Sequence, residues 1–182
     1  MVCKMNLKKI RYDAEMIFQS AIKEVDPYTS VKKHLSFDGA SIKAGSCEYD
    51  ISLFKKIVLL GAGKASARMA KAVEDILGDK IDKSFVVVKY DHSEPLRITE
   101  ILEAGHPLPD GNGIIGAKKI LDIAEESDTE TLIIFLVSGG GSALTPQPID
   151  SISLEEKQQI TNELLSSGAT IHEINTIRKK LM

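Results

Sequence analysis

Tryptophan is absent from this chain of 182 residues, cysteine occurs twice, and aromatic residues make up 5% of it. Cys3 and Cys47 are too few for a disulfide framework and show no metal-ligand spacing, so a reducing compartment is the default. Basic charge is not in excess: 23 Lys and Arg stand against 26 Asp and Glu, interspersed, for a net charge of -3. That balance gives no nucleic-acid footprint. No apolar run approaches the roughly twenty residues that cross a bilayer, and the N-terminus carries no apolar signal core. A cytoplasmic protein with neither membrane nor nucleic acid as partner is therefore expected. Internal repeats and low-complexity segments are also missing. What remains, 43% hydrophobic and 27% charged residues, suits one globular domain with a sizeable core.

The most informative stretch joins a buried strand to a helix through glycines. Residues 57–60 are an apolar run suited to a parallel strand covered on both faces, and Ala65, Met69, Ala72, Val73 and Ile76 recur at helical spacing. The period changes at Gly61-Ala62-Gly63. Such a turn is expected to present unpaired N–H groups and the positive end of a helix dipole, with the charge of Lys64 beside them, to a phosphate or carboxylate. A P-loop is excluded, because it needs glycine at Val58 and Ser or Thr at Ala65. The dinucleotide fingerprint fits Gly61 and Gly63, but its third small position falls on Ser66 and the ribose-binding acid would be Asp91, which is late.

In chain order, residues 6–25 read as an amphipathic helix with Leu7, Ile10, Ala14, Ile17, Ala21 and Val25 on one stripe, ended by Asp26-Pro27. A short helix is expected over 29–35, then a hairpin pairing 41–43 with 48–51; His34 reads as a surface or capping group. Gly78 caps the helix after the glycine turn, and strands follow at 84–88 and 101–104. Residues 105–113 hold two prolines and three glycines before the N-cap Asp110, with Ile114, Ala117, Leu121 and Ala124 as the next helix's inner stripe. His106 on that loop reads equally well as a turn residue or a binding group.

Thr131 to Val137 is apolar, β-branched and aromatic, and reads as a central strand. Ser138-Gly139-Gly140-Gly141-Ser142 follows it directly. Three consecutive glycines suit a backbone that approaches a ligand closely, and a nest of N–H groups flanked by two hydroxyls suits phosphate oxygens. Neither serine meets the nucleophile-elbow pattern, which disfavours a hydrolase. Capping boxes at Ser153 and Thr170 open two further helices, the last with Ile171, Ile174, Ile177 and Leu181 on one side. Asn175, Arg178 and Lys179 line its other side, as a solvated face or as groups directed at a bound anion.

Two strands that each end in a glycine-rich turn suggest a Rossmann-like α/β fold: an open, mainly parallel sheet with helices on both faces and a crevice at the strands' carboxyl ends. Gly61-Ala62-Gly63-Lys64-Ala65, Gly105-His106-Pro107-Leu108-Pro109-Asp110, Ser138 through Leu144, and Ile174-Asn175-Thr176-Ile177-Arg178-Lys179, in this order and spacing, together resemble the glycerate 2-kinases of the MOFRL type. The resemblance covers nearly the whole chain and matches that family's N-terminal nucleotide- and substrate-binding domain. It implies phosphoryl transfer from ATP to the 2-hydroxyl of D-glycerate with a divalent metal, Mg2+, and Lys64 as the active-site lysine. It further implies phosphate or substrate contacts from Gly61, Gly63, Ser66, His106, Ser138, Gly139, Gly140, Gly141, Ser142, Asn175 and Arg178. No metal ligands are assigned.

The family pattern continues beyond residue 182 into a basic, glycine-containing segment, later acidic residues and a C-terminal domain. A truncated chain that folds but does not catalyse is therefore expected, with Asp110 and Glu173 used as caps. Self-association as a homodimer through uncovered apolar surface is a further expectation. Two alternatives stand beside the kinase: a hydroxypyruvate reductase-like NAD(P)-dependent enzyme, disfavoured by the poor dinucleotide fingerprint, and a non-catalytic module that binds a small anion.

Overall fold

Alternation along three apolar strands decides where the layers of this molecule lie. The computed structural model describes residues 6–149 and 151–180; Cys3 and Leu181 fall outside them. The chain runs through α1 (Leu7–Glu24), α2 (Pro27–His34), β1 (Leu35–Phe37), β2 (Ser41–Ala44), β3 (Cys47–Asp50), β4 (Lys56–Ala62) and α3 (Ser66–Leu77). It continues through β5 (Lys83–Lys89), β6 (Glu100–Ala104), α4 (Gly111–Glu125), β7 (Thr131–Val137), α5 (Gly141–Leu144), α6 (Leu154–Ser166) and α7 (Ile171–Lys180). Strands β1 to β3 form a small antiparallel sheet, one strand more than the expected hairpin, because Leu35 ends α2 and pairs with Ala44.

The main sheet is parallel, in the order β6-β5-β4-β7. Ile57, Leu59, Val86, Val88 and Leu136 turn to one face and meet Ala67, Ala70, Val73 and Leu77 of α3. Val58, Leu60, Ala62, Phe85 and Val87 turn to the other and meet Ile120 and Ile123 of α4 and Leu144 of α5. The α/β fold with helices on both faces is thus present, and both faces of β4 and β5 are dry, as their unbroken apolar runs require.

Three expectations are corrected. β7 is an edge strand, paired with β4 alone among the described residues. Its composition reports two faces suited to burial, yet Phe135 and Val137 are exposed. Composition registers the faces of a strand and not its neighbours. The inner stripe of α4 is Gly113, Gly116, Ala117, Ile120 and Ile123, whereas Leu121 is exposed, because Gly116 lets the helix approach Val87 of β5 closely. In α1 no residue is buried: Leu7, Ile10, Ile17 and Val25 all face outward. Asn6 caps that helix, its side-chain oxygen accepting from the N–H groups of Lys8 and Lys9.

A buried carboxylate holds the approach to β6. Glu74 of α3, 2% exposed, accepts from the N–H groups of Arg97, Ile98 and Thr99 and from the Thr99 hydroxyl at 2.7–3.0 Å. Burial works to raise its pKa, but those hydrogen bonds prevail and hold it below the usual carboxylate value.

Candidate functional site

The sheet order fixes a switch point. β4, β5 and β6 step outward on one side, and the chain then returns to place β7 on the other side of β4. The crevice between the carboxyl ends of β4 and β7 is where open α/β sheets bind ligands, and both glycine turns border it.

The first turn is closed against the protein. Gly63 has φ 141° and lies so near the second turn that a Cβ would stand 2.1 Å from Ser138 Oγ. Its N–H donates to Val87 O at 3.0 Å, that of Lys64 to Gly139 O at 3.0 Å, that of Ala65 to Ser138 Oγ at 3.0 Å, and that of Ser66 to Gly63 O at 3.1 Å. The expectation of unpaired N–H groups here is therefore corrected: they weld the two turns together. Two expected binding residues fall inside the fold for the same reason. Gly61 is buried in β4, where a Cβ would meet Leu136 and Val86 at 3.1 Å, and Ser66 is fully buried, its hydroxyl without a partner among the described residues. A pyrophosphate therefore finds no free donors from Gly63 through Ser66, which counts against a dinucleotide site.

The second turn is open. No hydrogen bond from the N–H groups of Gly139, Gly140, Gly141 or Ser142 is made among the described residues, and Gly140 adopts φ 98°. Successive free N–H groups form a concavity for an anion. Lys64, exposed, lies along this turn: a Cβ on Gly139 or Gly140 would touch its Cε or Cγ at 3.9 or 3.5 Å. On the other side a Cβ on Gly140 would stand 3.0 Å from His106 Nε2.

Positive charge converges on this point from several elements. Burial lowers the pKa of His106, and Lys64, Lys89 at the end of β5 and Arg178 of α7 lower it further. Ser142, Asn175, Arg178 and Lys179 line a cleft of about 290 Å³. A second cleft, about 280 Å³, lies on the other side of Lys64, bounded by Ala65, Arg68, Asp91, His92, Ser93 and Glu94. The structure thus gathers Lys64, His106, Ser138 through Ser142, Asn175 and Arg178 around one crevice, with Gly63 as its packed floor. Sequence reading missed Lys89 and Lys157. Lys157 of α6, 1% exposed, has its pKa lowered by burial and then by Arg178. The burial of a lysine is set by tertiary packing, and nothing in its neighbours along the chain announces it. A cleft of about 620 Å³ formed by α7 and the turn that precedes it carries one acid, Glu173, which caps α7 through Thr170.

The acid on the His106 loop is engaged. Asp110 caps α4 through Gly113 N at 2.9 Å and accepts from Tyr90 Oη at 2.8 Å. Burial would raise its pKa, but these bonds hold it below the usual value. No group of three His, Cys, Asp or Glu side chains able to hold a metal ion occurs among the described residues. The donor set therefore fits phosphate or carboxylate oxygens and does not supply a divalent-metal site. No described helix is long and apolar enough to cross a membrane.

With this geometry in view, the comparisons with known proteins agree in direction. Residues 13–182 match a family described as a domain of unknown function, DUF4147. A D-glycerate 2-kinase of Thermotoga maritima is 49% identical over 127 residues, 69% of this chain and 30% of that protein. A putative hydroxypyruvate reductase of Agrobacterium vitis is 37% identical, over 98% of this chain and 38% of its own length. The crystal structure of glycerate kinase from Thermotoga maritima superposes with a TM-score of 0.76 at 40% identity, covering 96% of this chain and 39% of that one. The chain spans about a third of the length of the curated relatives it matches.

Proposed function

The chain belongs to the DUF4147 family, and on that premise we propose that its 182 residues act as the N-terminal, Rossmann-like nucleotide- and substrate-binding part of a glycerate 2-kinase. The reaction is transfer of the γ-phosphoryl group of ATP to the 2-hydroxyl of D-glycerate, in the cytoplasm. The observation that carries this reading is the placement of Lys64 and His106 against Gly139 and Gly140, and of Arg178 in a cleft with Ser142, beside four free N–H groups at the switch point of the sheet.

Phosphoryl transfer asks of a protein mainly positioning and stabilisation of charge on the transferred group. The N–H groups of residues 139–142 would take phosphate oxygens, and Lys64, lying along them, would neutralise charge that develops there. Arg178, with a planar guanidinium, suits a second phosphate or the substrate carboxylate in the cleft it shares with Ser142 and Asn175. No group of side chains able to hold Mg2+ occurs among the described residues. Asp110 is taken up as a helix cap, and this chain alone is expected to bind ATP without turning it over with D-glycerate.

Calorimetric titration of the purified chain with ATP, followed by an assay of ADP formation with D-glycerate, tests this. Saturable ATP binding that Lys64→Ala weakens, with the melting temperature unchanged, supports the reading. Binding indifferent to Lys64, or none, removes it.

A further inference from the structure

The two edges of the main sheet carry opposite chemistry. β6, the outer strand on one side, is five residues long and holds Glu100 and Glu103. Glu100 is paired with Lys119, and Glu103 reaches back to accept from the N–H of Asp91 and the hydroxyl of Ser93. A short strand with engaged acids is an edge protected against a further strand. β7, the outer strand on the other side, has none of these protections: its seven residues include no charge, no proline and no glycine. Every second residue of β7 turns its N–H and C=O groups away from β4, the one strand that pairs with it among the described residues.

Its side chains extend the apolar layers on both faces of the sheet. Ile133, Phe135 and Val137 alternate onto the side of α4, and Leu132, Ile134 and Leu136 onto the side of α3. Phe135 is 46% and Val137 70% exposed. Phe135 also shares a groove of about 140 Å³ with Ala117, Ile120 and Leu121 of α4 and with Thr145 and Gln147. Water can satisfy the outward backbone groups of such an edge, but the apolar layers above and below them are continued by a strand that is apolar on both of its own faces. β7 is itself such a strand.

We propose that β7 is a homodimerisation edge: two copies of the chain join β7 to β7 antiparallel, about a two-fold axis perpendicular to the sheet, so that two four-stranded sheets become one of eight strands. An axis in that direction carries each face of the sheet onto the same face of the partner, so opposed side chains point the same way. Full overlap of the seven residues centres the axis on Ile134 and sets Ile133 opposite the partner's Phe135, an aromatic against a β-branched residue, which is a favourable cross-strand pair. Leu132 then faces the partner's Leu136. Because the β6 edge is protected, the assembly closes at two copies instead of growing. The contact is confined to one strand and its flanks, at the low end of interface sizes, so the dimer is expected to dissociate in the micromolar range. The proposal is independent of the kinase reading of the crevice.

Sedimentation equilibrium of the whole chain over a range of concentrations should show monomer and dimer and nothing larger. Phe135→Lys and Val137→Lys, each placing a charge on the edge, should make the chain monomeric while its circular dichroism stays that of the parent. Val137 is the more exposed of the two, so its variant carries the test if Phe135→Lys impairs folding. Ile17→Lys on α1, whose exposed apolar residues form the rival surface, should leave the dimer intact. In a mixture of isotope-labelled and unlabelled chains, intermolecular NMR contacts should join Phe135 to Ile133, and every second amide of β7 should exchange more slowly as concentration rises. A chain that stays monomeric at millimolar concentration, a dimer that both β7 variants leave intact, or one that Ile17→Lys abolishes would overturn the proposal. So would species that grow beyond two copies, or intermolecular contacts that join Phe135 to a residue outside β7.

Discussion

The two glycine turns at the carboxyl ends of β4 and β7 read alike in sequence and do opposite things in the structure. Each follows an apolar strand and precedes a helix, and each invites the expectation of an anion cradle. In the first, every N–H from Gly63 through Ser66 is used inside the protein, and glycine is required because Ser138 stands where a Cβ would go. In the second, four successive N–H groups are free and face a convergence of cations. Glycine in the first turn serves packing, and in the second it serves access. Glu74 offers an internal reference for the open turn, since there the protein fills a row of three backbone N–H groups with a carboxylate of its own.

The sharpest way to break this contrast is Gly63→Ala. The new methyl would overlap Ser138 in a backbone conformation that L-residues rarely adopt, so the loss of stability is expected at roughly 2–5 kcal/mol, read by denaturant unfolding. A value near zero would mean that the two turns are not welded as described.

Glu74→Gln comes next, at about 1–3 kcal/mol, because the amide NH2 would face a backbone N–H that now has an acceptor. The sign of its pH effect follows from the direction of its shift. The folded-state pKa lies below the unfolded value, so Glu74 adds stability that is fully present above the unfolded pKa and is lost as pH falls through the folded one. Acid unfolding of the Gln variant should therefore have a shallower dependence on pH in that window than the parent.

Lys64→Ala separates the turns by function instead of stability. The residue is exposed, so unfolding should change by no more than about 0.5 kcal/mol. Phosphate or sulfate affinity should fall by about tenfold, the loss of one charge-assisted contact. The smallest effect is expected for Gly139→Ala, whose Cβ would meet nothing closer than Lys64 Cε at 3.9 Å. Its stability should stay within about 0.5 kcal/mol of the parent, in direct contrast to the alanine at Gly63.

Much of this fold was legible because apolar runs of four to six residues between turn signals leave little choice. β4, β5, β7 and the helices capped by Asp110, Ser153 and Thr170 all occur where pattern and capping place them. What sequence could not supply was adjacency. β7 has the composition of a central strand and lies at an edge, because composition reports the two faces of a strand and is silent on its hydrogen-bonding sides. The donors of Gly63 through Ala65 seemed free because their acceptors, Val87, Gly139 and Ser138, lie far along the chain or across the crevice. Lys89 and Lys157 were invisible for the same reason, as the surroundings of each are set by residues distant along the chain, His106 and Arg178 among them.

Amide hydrogen exchange, resolved to single residues, measures the contrast between the two turns most directly. The amides of Gly63, Lys64 and Ala65 are predicted to be protected in the free protein. Those of Gly139, Gly140, Gly141 and Ser142 should exchange near the rate of an open chain and slow markedly when ATP or sulfate is added. Protection of residues 139–142 in the free protein, or exchange there that no anion slows, would contradict the claim that this turn is an open anion site.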